Sequence, residues 1–184
     1  MGSPFDFSKV QVGNGSYGRL NVHAWGRPEE RLTIGHYVSI AEDVHFLLGG
    51  NHAHHHLSTY PFKVTMLGHP NESHTKGPIT VQDDVWIGYG AMILSGVTLH
   101  QGCVIGAGAL VTTDVPAYAI VAGNPGRVVK YRFPDAVVQK LLALRLSELT
   151  PEAVRTRPDL ISEKITPENI DKIAQGLRLK GPTP

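Results

Sequence analysis

Residues Val81 to Pro116 read VQDDVW IGYGAM ILSGVT LHQGCV IGAGAL VTTDVP. Every sixth residue is aliphatic: Val81, Ile87, Ile93, Leu99, Ile105 and Val111. Four residues after each stands a small or β-branched one: Val85, Ala91, Val97, Cys103, Ala109 and Val115. A period of six fits neither a helix nor a plain strand. It fits a chain that makes short strands, turns a corner and repeats, which is the signature of a parallel β-helix. Each aliphatic residue would point inward and stack on its counterpart one coil away. Three such units, about eighteen residues, would close one triangular coil. Glycines such as Gly88, Gly90, Gly102, Gly106 and Gly108 suit the corners.

The same pattern reaches outward from this block. Ile34, Ile40 and Phe46 are six apart, with Val38 and Val44 in the small positions. This earlier block is out of phase with the later one, because 34 and 81 do not differ by a multiple of six. Something is therefore inserted, at about residues 47–78. The insert carries six of the ten histidines, with Tyr60, Phe62, Met66 and Leu67. Long structureless loops are uncommon in compact domains, and these side chains argue for an ordered loop that packs on something, such as another copy of the chain. Residues 1–11 read as an irregular lead-in, VGNGSY (12–17) as a degenerate repeat, and Tyr17–Trp25 as a strand. GRPEER (26–31) reads as a charged turn.

After Pro116 the repeat relaxes, and GNPG (123–126) marks a turn. Arg127, Lys130 and Arg132 form a basic cluster. Val138, Leu141, Leu142 and Leu149 have helical spacing. Thr150-Pro151-Glu152 reads as a helix start, Thr166-Pro167-Glu168 as another, and Gly176 as the closing glycine. The expected division is a β-helical unit over residues 1–133 and two or three short helices over 134–184, ending in a frayed GPTP.

The chain has 184 residues and a net charge of +1. No strong field steers nucleic acid. No apolar run spans a bilayer, and MGSPFDFSK is unlike a signal peptide. Cys103 stands alone, which excludes an internal disulfide, and its inward position marks it as core. The cytoplasm is the expected location.

The stretches TIGHYVSIAEDVHF, GNHAHHHLSTYPF and DVWIGYGAMILSGVTLHQGCVIGAGALVTTDVPAYAIVAGNPGRVVKYRF run in order from Thr33 to Phe133. Together they resemble the hexapeptide-repeat acyltransferases, in the xenobiotic branch that includes the type B chloramphenicol and streptogramin acetyltransferases. The resemblance implies a left-handed parallel β-helix, so the expected fold is all-β, such a helix carrying the inserted loop and the small C-terminal α-helical segment read above. It also implies a homotrimer with active sites between subunits, acetyl-CoA as co-substrate and no metal. The left hand comes from the resemblance alone, since parallel crossovers are normally right-handed.

The matching general base is His52, in GNH ahead of STYPF. Histidine suits that task because its ordinary pKa lies near neutrality. In the family the acceptor attacks the thioester directly. Matching acetyl-CoA contacts fall on Tyr89, Ala107, Thr112, Thr113, Arg127 and Lys130. Thr113 stands where the family usually carries Lys before DVP. Trp86 lies outside the inward positions and reads as an interface or cofactor-groove residue. Tyr37, Tyr60 and Phe62 are acceptor-side candidates. His54, His55 and His56 match no family position. The segment after the basic cluster carries LALRLSEL rather than a tryptophan-rich run, so sugars and other small hydroxyl or amine acceptors stand beside antibiotics.

Two other readings use parts of the same sequence. Carbonic anhydrases on trimeric β-helices hold zinc with three histidines, and His69 and His74 invite that comparison. Zinc needs three ligands in fixed geometry, and this pair lies in the insert rather than within the coils. A non-catalytic scaffold would need neither the histidine-bearing loop nor the basic cluster.

Overall fold

A computed structural model describes residues 6–179. Short strands wind around three faces. The first face holds β1 (Val10–Val12), β3 (Leu32–Ile34), β6 (Ile79–Val81) and β9 (Thr98–Leu99). The second holds β4 (Ser39–Ile40), β7 (Trp86–Ile87), β10 (Val104–Ile105), β12 (Ala119–Ala122) and β13 (Arg127–Tyr131). The third holds β2 (Asn21–His23), β5 (His45–Leu47), β8 (Met92–Leu94) and β11 (Leu110–Val111). All pairings are parallel except β12 with β13.

Register states the repeat directly. Thr80 pairs with Thr98, Trp86 with Val104 and Met92 with Leu110, each 18 residues apart. Across the insert, Leu32 pairs with Ile79, Ser39 with Trp86 and His45 with Met92, each 47 apart. The excess over one coil is 29 residues, and it leaves at the corner between the third face and the first.

Inward residues form columns. Ile34 lies over Val81 and Leu99, Ile40 over Ile87, Ile105 and Val121, and Phe46 over Ile93 and Val111. All are buried, as are the small residues Val38, Val44, Val85, Ala91, Val97, Cys103, Ala109 and Val115. Burying each large aliphatic side chain contributes about 1.5–3 kcal/mol. The Cys103 thiol is pushed up to about 12 by burial, so it packs and does not react.

At the far end, β13 turns back antiparallel and Tyr118 lies outside the columns in a second buried cluster. Its ring packs under α2 (Asp135–Leu142) with Val137, Val138, Leu141 and Ile170. Arg132 donates to Asp84 at 2.8 Å and to the Gly102 carbonyl at 2.7 Å, and lies over the Tyr118 and Phe133 rings. The expected basic cluster is therefore divided: Arg132 is a structural pin.

Several local expectations need correction. Residues 6–11 are not irregular, since a 3₁₀ turn (Phe7–Lys9) runs into β1. The insert carries a helix, α1 (Phe62–Leu67), closed by Gly68 at φ 71°. Among the described residues, the C-terminal region has four α-helices: α2, α3 (Pro151–Thr156), α4 (Pro158–Ser162) and α5 (Ile170–Gly176). Thr150 caps α3 as expected, accepting from the Ala153 N–H. Thr166 accepts the Ile170 N–H with its carbonyl at 3.2 Å and its side chain bonds Glu168, but α5 starts four residues later without a side-chain cap, and Gly176 lies inside it. GPTP lies outside the described residues.

GRPEER is not simply a solvated turn. Glu30 is fully buried. Its carboxylate accepts the backbone N–H groups of Trp25, Gly26 and Arg27 at 2.9–3.1 Å. Hydrogen bonds of this kind satisfy a buried charge.

Candidate active site

The insert is pinned where it leaves the coil. Asn51 and His74 form an antiparallel bridge. The buried Ser95 hydroxyl, one coil on, accepts from Asn51 Nδ2 at 3.3 Å and from the Lys76 N–H at 3.2 Å. One side chain thus ties both ends of the insert to the coil. Glu72 accepts the N–H groups of Lys63 and Val64 at 2.9 and 3.4 Å, capping α1 from nine residues away. Asn71 donates to the Trp25 carbonyl, joining the insert to the turn that Glu30 holds.

His52 follows Asn51 directly. Its Nδ1 lies 2.7 Å from the Thr59 carbonyl oxygen. A carbonyl only accepts, so Nδ1 carries the proton and donates. Nε2 is left with its lone pair on an exposed ring. This arrangement fixes the tautomer of the neutral ring and leaves Nε2 as the nitrogen that can accept a proton, as a general base requires. The ring lines a cavity of about 230 Å³ together with Arg27, Tyr60, Lys63, Glu72 and His74.

The other expected site residues distribute over the insert, the corners and the second face. Tyr60 shares the cavity with His52, while Phe62 stacks edge-on against Tyr60 at 4.9 Å. Thr112 and Thr113 follow β11 at the corner from which the insert departs, beyond Ser95. Tyr89 and Ala107 occupy the corner between the second and third faces, and the Gly108 N–H donates to the Tyr89 carbonyl at 2.7 Å. Tyr89 Oη donates to Asp43 Oδ2 at 2.6 Å, and that bond raises the phenol's pKa. Arg127 opens β13 and donates to the neighbouring Gly126 carbonyl, and Lys130 pairs across to Ile120. Trp86 is exposed on the second face, in a shallow groove with Tyr37, Val104 and Ile120. Tyr37 lies at the remaining corner, where its hydroxyl donates to the Leu149 carbonyl. Within one chain, Tyr37 therefore does not meet the His52 cavity.

Sequence reasoning missed Arg27, Thr59, Ser95 and Asp43. Only the phase slip at residue 47 pointed toward Ser95's role, by marking where a loop must be anchored. It also missed a pair on the third face: His23 Nε2 and His45 Nδ1 are 2.8 Å apart. Burial first, and then the neighbouring His45, lower the His23 pKa below its ordinary 6.5. Among the described residues, no three His, Cys, Asp or Glu side chains are grouped to hold a metal ion.

The family described as bacterial transferase hexapeptide (six repeats) matches residues 78–113. A chloramphenicol acetyltransferase of Klebsiella aerogenes is 35% identical over 145 residues, covering 74% of this chain and 69% of that protein. Another, from Agrobacterium fabrum, is 39% identical over 123 residues, covering 63% and 59%. The crystal structure of a hexapeptide-repeat containing acetyltransferase from Vibrio cholerae superposes with a TM-score of 0.54 at 26% identity, covering 68% of this chain and 64% of that one. This chain belongs to the hexapeptide-repeat acetyltransferases, in their xenobiotic branch. It spans about three-fifths to two-thirds of the length of these relatives.

Proposed function

We propose that this chain transfers an acetyl group from acetyl-CoA to a small hydroxyl- or amine-bearing acceptor, with His52 as general base. The observation that carries the reading is the Nδ1 contact to the Thr59 carbonyl, which in the neutral ring puts the lone pair on Nε2. Bound acetyl-CoA would supply the activated thioester carbonyl. His52 Nε2 takes the proton from the acceptor's O–H or N–H as the new acyl bond forms and the C–S bond breaks. It then returns that proton to the departing sulfur, leaving free CoA thiol and acetylated acceptor.

The coil suits an extended donor. A Cβ placed at Gly90 or Gly108 would meet nothing within 4 Å, so the Tyr89–Ala107 corner presents open backbone. Trp86, Tyr89, Ala107, Thr112, Thr113, Arg127 and Lys130 are the proposed donor contacts. They lie on more than one face, so we take the working site to form between copies in a homotrimer of left-handed β-helices. Support comes from the insert: α1 has no buried residue, and Leu57, Met66 and Leu67 are exposed. Residues 1–133 would form the transferase unit and 134–184 a helical extension. The cytoplasm is the proposed location; among the described residues no helix is long and apolar enough to cross a membrane.

The test has two parts. Calorimetric titration with acetyl-CoA should saturate near one per subunit. His52→Ala should keep that binding and lose at least about two decades of turnover. Near-normal turnover in the variant would sink the assignment.

A further inference from the structure

We propose that the acceptor carries an anionic group, a carboxylate or a phosphate, beside the hydroxyl or amine that is acetylated. This rests on the acyltransferase reading and specifies the occupant of the His52 cavity.

The cavity's charges are unequal. Arg27 and Lys63 line it, against one carboxylate, Glu72. That carboxylate already accepts the two N–H groups at the start of α1. Arg27 is held by its main chain, not by its guanidinium. Its N–H donates to Glu30 at 3.1 Å and its carbonyl accepts from Lys9 Nζ at 2.8 Å. The guanidinium's acidic neighbour, Glu29, stands 4.0 Å off with both side chains substantially exposed. A pair of that kind is weak and is readily exchanged for a better one.

The remaining lining is mostly polar, with histidines, Ser58, Thr59, Ser73 and Asn71, and its apolar surface comes from Ala53, Pro61 and the Tyr60 ring. A neutral apolar acceptor would desolvate Arg27 and Lys63 and give them nothing in return. An anion gives both a partner, and the guanidinium can hold a carboxylate or phosphate in bidentate fashion. Size agrees. About 230 Å³ falls below the roughly 300–1,000 Å³ of sites that enclose drug-sized ligands.

The experiment follows thiol release from acetyl-CoA with matched acceptors: a neutral hexosamine, its 6-phosphate, and the corresponding uronic acid. The expected result is a kcat/KM at least about tenfold higher for the charged members, in line with a charge-assisted hydrogen bond. In Arg27→Gln and Lys63→Gln that ratio of charged to neutral should fall about tenfold. In the unaltered enzyme, added salt should raise KM for the charged acceptors more than for the neutral one. The phosphate and the uronate separate the two anion types. Equal use of the neutral hexosamine would overturn the anionic acceptor while leaving acetyl transfer standing. Absence of both CoA binding and transfer to any acceptor would remove the parent reading and this one with it.

Discussion

The Trp25 indole presses against Gly50 so closely that a Cβ there would come within 2.6 Å of two ring carbons. Gly50 also has φ 80°, a region that costs other residues free energy. Gly50 precedes Asn51 and His52, so the turn held by Glu30 sets the angle at which the insert leaves the coil. Gly50→Ala should cost about 1–3 kcal/mol of stability from backbone strain and overlap. It should also lower kcat with little change in acetyl-CoA affinity, since the coil is untouched. Chemical denaturation and calorimetry on the same variant check both. Unchanged kcat would separate this turn from His52.

His23 gives the fold an acid-sensitive point. Its folded pKa is below 6.5, mainly through burial. The unfolded chain therefore binds the proton more readily than the folded one. Stability from this group is complete above pH 6.5 and falls as pH drops below it. His23→Gln should flatten the dependence of Tm on pH between about pH 7 and 5. An unchanged slope would show that the His23–His45 contact contributes nothing to it.

Cys103 offers a probe of opening. With the thiol pushed up to about 12 by burial, almost no thiolate exists near neutrality, and the thiolate is the reactive form. A thiol-specific disulfide reagent at mild alkaline pH should react with the native protein only as fast as the coil opens, and at once in denaturant. Rapid reaction without denaturant would contradict a closed core.

What sequence could tell depended on how each feature is encoded. The coil repeats its geometry, so Ile87, Ile93 and Ile105 announce themselves by spacing, and the slip between Ile34 and Val81 locates the insert. The helix Phe62–Leu67 left no such trace, because six residues make too few turns for a periodic stripe. Glu30 was hidden by its neighbours: PEER reads as solvated charge, and only the fold reveals four N–H contacts converging on one member. The Thr166 start misled because the capping pattern was present while the chain turned once more before α5 began. His52 was singled out through resemblance. Its contact with Thr59 was not, since nothing in residues 52–59 specifies which carbonyl closes back on the ring.

The columns on either side of the insert stack without interruption, although their members are 47 residues apart in one place and 18 in the next. The prism is indifferent to what is spliced into that corner. On the function proposed above, the donor contacts sit on the coil and most of the acceptor cavity sits in the insert, parts that can be exchanged separately. A relative's insert grafted between Leu48 and Ile79 should change which molecule is acetylated while the coil beneath folds as before.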